Sequence, residues 1–173
     1  MKEKKVLFVV AQTNFRDEEY FDPKNILEQA GILTTTASIS KGEATSVFGK
    51  TIPVEISISD LNPDDYSAVI FVGGAGSKVY FENPTAHKIA QEMLNSGKIV
   101  AAICIAPTTI AKAGILKGKK ATSFSSAKND LIASGAIFTG KSVEKDGNII
   151  TADGPDSAKE FGKEILKALQ GST

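Results

Sequence analysis

Cys104 is the only cysteine in a chain of 173 residues, and its neighbours make it a candidate nucleophile. It follows the apolar run Ile99-Val-Ala-Ala-Ile103, rich in β-branched residues. It precedes an Ala-rich segment whose apolar residues recur at helical spacing. The residues two before and two after it are Ala102 and Ala106. A sharp strand-to-helix turn has no room for large side chains beside its central residue, so this spacing fits a nucleophile elbow. Pro107 suits the first helical position, where its missing N–H costs nothing. A cysteine facing the free N–H groups at a helix start gains thiolate character, so Cys104 is expected to titrate below the free-thiol value of about 8.5. The alternative is an inert core residue, since cysteine often behaves as a small hydrophobe.

Two further stretches carry groups that suit a thiolate. Residues 12–19 read as a polar loop ending in Asp17, Glu18 and Glu19. A desolvated carboxyl stays protonated and can donate to sulfur, whereas a solvated acidic loop does nothing of the kind. Gly73 and Gly74 follow the apolar run 68–72, and glycine lets backbone N–H groups approach a ligand. One such N–H together with that of Ile105 would form an oxyanion hole, unless the glycines simply make a turn. The run Gly73-Gly-Ala-Gly76 lacks the spacing of a dinucleotide fingerprint. His87 is the one histidine, placed off the apolar stripe of the helix expected over 84–95 and so on the surface. Nothing beside Cys104 supplies the imidazole of a Cys–His dyad.

Alternating strands and helices must position these groups. Residues 6–10 and 68–72 read as buried strands, and 32–39 as a Thr-rich strand. Shorter strands fit 46–48 and 51–57, with Gly49-Lys50 as the turn between them. Asp22 as N-cap and Pro23 at the first helical position predict a helix with Ile26, Leu27 and Ala30 facing inward and Gly31 at its end. A second helix, 84–95, carries Ile89, Ala90, Met93 and Leu94 inward and closes at Gly97. Another runs from 129 to Gly135. Asp146-Gly147 predicts a hairpin, and Pro155 opens a last helix with Phe161, Ile165, Leu166 and Leu169 on its buried face. The pattern gives an α/β fold with a mostly parallel sheet, whose site lies beyond the carboxyl ends of the strands. The loops at residues 12–19, 73–77 and 104–106 all leave such ends.

Composition narrows the function. The formal net charge is zero, which removes the electrostatic footprint of a nucleic-acid binder. No apolar run is long enough for a membrane span, and the basic start followed by apolar residues 6–11 is too short for a secretory signal. A single cysteine excludes an intramolecular disulfide and fits a cytoplasmic setting. No metal-ligand cluster or cofactor motif is evident, and the whole chain, 1–173, reads as one domain.

The stretches Val69-Ile-Phe-Val-Gly-Gly-Ala-Gly76, Ala101-Ala-Ile-Cys-Ile-Ala-Pro107, Ala113-Gly-Ile-Leu-Lys-Gly-Lys-Lys-Ala-Thr-Ser123 and Asp146-Gly-Asn-Ile-Ile-Thr151 ahead of Gly154-Pro155 occur in that order. Together they resemble the ThiJ/PfpI superfamily of the class I glutamine amidotransferase-like fold, over nearly the whole chain. The resemblance implies a flavodoxin-like sandwich with helices on both faces, a homodimer or higher oligomer, and a reactive cysteine at Cys104. It implies a partner carboxyl four residues before the proline of the first helix, which counts back from Pro23 to Glu19 rather than Glu18. It assigns the oxyanion amides to Gly74 and Ile105, beside Gly73.

The departures from the family are as informative. Peptidase-like members resemble Cys-His-Gly-Pro at the elbow, where this chain has Cys104-Ile105-Ala106-Pro107. They carry a Glu where this chain has Lys78. Another branch places a histidine where this chain reads Ser123-Phe124-Ser125. A peptidase or amidase would therefore lack its general base. Two readings remain. One is a glyoxalase- or deglycase-like enzyme acting on small reactive aldehydes or their adducts, with Cys104 attacking a carbonyl and Glu19 shuttling a proton. The other is a redox sensor or stress protein in which an oxidant converts Cys104 to sulfinate.

Overall fold

In the computed structural model, which describes residues 3–171, the buried apolar runs become the middle strands of one sheet. They are β1 (Lys5–Val9), β3 (Leu33–Ser38), β7 (Ala68–Phe71), β8 (Ile99–Ile103) and β12 (Ile149–Ala152). With β6 (Ile56–Ser57) and β11 (Val143–Asp146) at the edges, the order is β11-β12-β8-β7-β1-β3-β6. All neighbours are parallel except β11, which returns antiparallel on β12 through the turn at Asp146-Gly147. Strands β1, β7 and β8 have apolar side chains on both faces. Val69, Phe71, Val100 and Ala102 join one core, and Ala68, Ile70, Ala101 and Ile103 the other.

Helices cover both faces. On one side α2 (Pro84–Asn95) buries Ala86, Ile89, Ala90 and Met93, with α3 (Pro107–Lys112) and α4 (Lys128–Ala133) beside it. Asn83 caps α2 by accepting from Ala86 N at 3.0 Å, and Gly97, at φ +77°, turns the chain out of it. Leu94 is only half-buried there. On the other side α1 (Asp17–Gln29) packs on α5 (Ala158–Gly171). A Cβ on Gly162 would stand 2.9 Å from Pro23 Cα, so the missing side chain sets how closely these helices approach. Pro155 opens a 3-10 turn, Pro155–Ser157, from which α5 continues. That helix buries Phe161, Ile165 and Leu169, with Leu166 at the margin.

Several expectations are corrected. Residues 12–19 are not a loop: they hold β2 (Thr13–Phe15) and the first turn of α1. Asp22 does not cap that helix, and Pro23 lies inside it. The helix starts earlier because Asp17, Glu18 and Glu19 complement its positive end, and because Tyr20 brings a large apolar ring to the core one turn before the proline. Pro23 is tolerated there at the loss of one backbone bond. Its buried face is Tyr20, Pro23 and Leu27, while Ile26 is half-buried and Ala30 exposed. The stretch 46–48 is the end of β4 (Gly42–Ser46) and a turn, and 51–57 divides into β5 (Thr51–Val54), antiparallel to β4, and β6. A further small pair, β9 (Lys120–Ala121) and β10 (Ile137–Phe138), lies between α3 and β11.

Candidate functional site

Cys104 sits where β8 ends and α3 is about to begin, with φ +67°. Only one other non-glycine residue, Asn14, has positive φ among the described residues. A left-handed cysteine is held against its own preference, so its neighbours must fix it. They do so from both sides: Cys104 N donates to Ala152 O at 3.0 Å, and its carbonyl accepts from Phe124 N at 2.8 Å. Ala102 and Ala106 are fully buried against the turn. The strand-to-helix elbow of the sequence reading is thus the observed local structure.

Glu19 reaches the sulfur from the first turn of α1. It is entirely buried, and neither carboxyl oxygen has a hydrogen bond of full geometry. The polar groups nearest to it are the Cys104 thiol and the Gly73 backbone. Burial pushes the carboxyl up to about 8, against the weaker pull of Cys104, Arg16 and the Gly73 N–H. Burial thus favours the protonated, neutral form of Glu19 at pH 7. Glu18, next along the chain, points away: Arg16 Nε and Nη2 donate to its two oxygens at 2.9 and 3.1 Å. This pairing holds Glu18 below the usual carboxylate range.

The thiol departs from expectation. Burial first, and then the charge of Glu19, push Cys104 up to about 12, with the amides of Gly74 and Ile105 pulling the other way. The dipole argument fails for a physical reason: α3 is a single short helix, and the sulfur lies half-buried against apolar walls. The two acids also titrate as a coupled pair, because a carboxylate and a thiolate side by side repel each other. While Glu19 keeps its proton, its repulsion of the thiolate is absent and only burial opposes ionisation of the sulfur.

The glycines set the distances. A Cβ on Gly73 would stand 2.6 Å from Cys104 Cβ and 2.7 Å from Ile103 O. At Gly74, φ is +99° and a Cβ would come within 2.6 Å of Arg16 N. Arg16 N in turn donates to Gly73 O at 3.0 Å, which locks the start of α1 onto the end of β7. Gly73, Gly74, Glu19, Cys104 and Ile105 are thereby brought together. His87 is not among them: it is half-buried on α2, with Nε2 2.7 Å from Phe81 O.

The sulfur opens into a cleft of about 430 Å³ lined by Arg16, Val47, Lys78, Ile105, Phe124 and Pro155, among others. Sequence reasoning missed the contributions of Val47, Phe124 and Pro155. They are turn residues brought in by tertiary structure, with no periodic signal. Asp17, one of the three acids of that stretch, serves a different role from the one expected. Its buried carboxylate accepts from Ser46 Oγ at 2.6 Å and Phe48 N at 3.1 Å, pinning the β4–β5 turn beside the cleft. Among the described residues no group of three His, Cys, Asp or Glu side chains lies together as a metal site. No helix among them is long and apolar enough to cross a membrane.

The sequence profile described as the DJ-1/PfpI family matches residues 4–168. A protein of Methanocaldococcus jannaschii, MJ0967, is 47% identical, over 98% of this chain and 84% of its own length. Deglycase PfpI of Pyrococcus furiosus is 32% identical over 96% of this chain and 99% of its own. The crystal structure of a ThiJ/PfpI domain protein from Brachyspira murdochii superposes with TM-score 0.97 at 31% identity, covering 100% of both chains.

Proposed function

The chain belongs to the DJ-1/PfpI family, and from that premise we propose that it is a cysteine-dependent enzyme acting on small reactive aldehydes or their adducts, with Cys104 as the attacking sulfur and Glu19 as the proton carrier. One observation carries this reading. A fully buried carboxyl with no good hydrogen bond of its own faces a cysteine held in a left-handed turn. The deglycase from Pyrococcus furiosus, with its similarity over nearly the full chain, supports the choice of carbonyl chemistry.

The steps follow from the proton count. The pair that has lost one proton holds its charge mainly on the Glu19 carboxylate, and it reacts through the minor form in which Glu19 has taken the thiol proton and the charge lies on sulfur. Sulfur bonds to the carbonyl carbon, the π pair moves to oxygen, and the amides of Gly74 and Ile105 stabilise the charge that develops there. Glu19 gives its proton to that oxygen, which yields a hemithioacetal and a carboxylate. With a 2-oxoaldehyde, the carboxylate then carries the C–H proton to the adjacent carbon, while the hydroxyl proton of the hemithioacetal passes to the oxygen on that carbon. The resulting thioester is hydrolysed by water to a 2-hydroxy acid. No oxidant is consumed. The test is conversion of methylglyoxal to lactate by wild type and Cys104→Ser. Turnover by wild type that disappears in the variant is expected. No turnover by wild type, or equal turnover by the variant, abandons the reading.

A second reading rests on the solitary thiol. Oxidation of Cys104 to sulfenate cannot end in an intramolecular disulfide, because no second cysteine exists. The Glu19 proton and the amides of Gly74 and Ile105 would then hold a sulfinate by charge-assisted bonds. Intact mass across a peroxide series should reach a plateau at two added oxygens on Cys104, ahead of Met93, which is fully buried. Met1, the other methionine, lies outside the described residues. A peptidase reading is disfavoured, since Ile105 and Lys78 stand where it needs His and Glu.

A further inference from the structure

The cleft over Cys104 has a charge pattern that the carbonyl chemistry does not use. Its ionisable lining is Arg16, Lys78, Glu19 and Cys104 itself. Glu19 is committed to the thiol. The Arg16 guanidinium is committed to Glu18, and it lies 5.0 Å from the centre of the Phe48 ring. Lys78 is different. Among the described residues no carboxylate lies within 4.0 Å of its ammonium, and it donates no side-chain hydrogen bond. Asp130, across the adjoining shallow cleft, is within reach of Thr108 Oγ1 at 3.3 Å instead. Lys78 stands on the 3-10 turn Ala75–Tyr80 that follows Gly74, so its backbone is fixed to the loop carrying one of the oxyanion amides. Buried Ser77 strengthens that anchor by donating from Oγ to Gly74 O at 2.8 Å.

A small aldehyde such as methylglyoxal would leave this cation idle, since the cleft of about 430 Å³ is far larger than such a molecule. Apart from Ser126, the remaining side-chain walls, Val47, Ile105, Phe124 and Pro155, are apolar and suit a short carbon chain. Resting on the proposed carbonyl chemistry, we infer that the preferred substrate is an anionic 2-oxoaldehyde, whose aldehyde meets Cys104 and whose carboxylate, a few methylenes away, pairs with Lys78. The cation also serves the working charge state. An anionic substrate approaching a thiolate is repelled, and an ammonium on the rim offsets that repulsion at a point where the Arg16 charge is already matched by Glu18.

The probe is 4,5-dioxopentanoate, a 2-oxoaldehyde with a terminal carboxylate, which adds water overall to give 2-hydroxyglutarate. It is compared with neutral methylglyoxal in wild type, Lys78→Gln and Lys78→Arg. The ratio of kcat/KM for the anionic over the neutral aldehyde should fall roughly tenfold in Lys78→Gln, the worth of one charge-assisted contact, and be restored in Lys78→Arg. An unchanged ratio overturns the inference while leaving the carbonyl reading intact. A second measurement needs no turnover: 4-oxopentanoate, which has no aldehyde, should slow iodoacetamide alkylation of Cys104, and its neutral amide should not. Protection that disappears in Lys78→Gln supports the site even if neither aldehyde is converted, in which case only the carbonyl reading fails. Equal protection by acid and amide, or protection that persists in Lys78→Gln, sinks the inference.

Discussion

The two sides of the first turn of α1 hold adjacent glutamates with opposite fates. Glu18 faces outward, accepts two bonds from Arg16 and is held below the ordinary carboxylate range. Glu19 faces the sheet, has no full-geometry bond and is pushed up to about 8. The chemistry of the side chains is identical; only the rotation of about 100° per helical residue separates them. The difference teaches that a helix can present a stable ion pair and a strained acid within one turn, provided the strained face is covered. Here Gly73 and the elbow at Cys104 cover it.

The comparison is sharpest in the dependence of stability on pH. The unfolded chain releases the Glu19 proton near the ordinary glutamate value of 4.5, whereas the folded chain keeps it to about 8. Between those limits the unfolded state binds fewer protons, so stability is greatest below pH 4.5 in this respect and falls as pH rises through 8. Urea denaturation at pH 5 and pH 8 should show a decline in wild type that Glu19→Gln largely removes. Parallel curves for the two proteins would mean that Glu19 is not buried as an acid.

Next in size is the effect of the same variant on turnover. Gln keeps the shape and a donor but moves no proton, so methylglyoxal conversion in Glu19→Gln should fall on the order of a hundredfold or more. A KM change with kcat preserved would instead make Glu19 a binding group. Gly73→Ala follows. Its Cβ would meet Cys104 Cβ at 2.6 Å and a backbone oxygen at 2.7 Å, which side-chain rotation cannot relieve. A loss of about 1–3 kcal/mol is expected by denaturant titration, the usual range for overpacking. Unaltered stability would show that the elbow is looser than its contacts indicate. Smallest is Glu18→Gln, which removes a half-exposed ion pair worth about 1 kcal/mol or less. It should leave turnover within about twofold on that scale. A large loss there would erase the contrast between the two carboxyls.

Local chemistry explains what was legible in the sequence. Elements with strong local signals emerged where expected: the buried strands, α2 opening at Pro84, the Asp146-Gly147 hairpin and the elbow between Ala102 and Ala106. The choice of Glu19 over Glu18 came from the family resemblance, since both are acids in one polar stretch. The start of α1 was not legible, because Pro23 after Asp22 imitates a helix start while burial of Tyr20 overrides it. The thiol's upward shift was also hidden. It depends on a carboxyl from a distant segment and on apolar walls supplied by turns, neither of which periodicity records.

The left-handed backbone of Cys104 has a consequence for how this protein can change over generations. At Asn14, the other non-glycine residue with positive φ, the side chain is one that tolerates the left-handed region. At Cys104 it is not, and glycine or asparagine would relax the turn. Random drift judged only by folding would therefore tend to discard the sulfur. On the proposed chemistry, its presence in the turn marks a position where selection for fold alone and selection for chemistry pull in opposite directions, and where a more durable variant would be a chemically silent one.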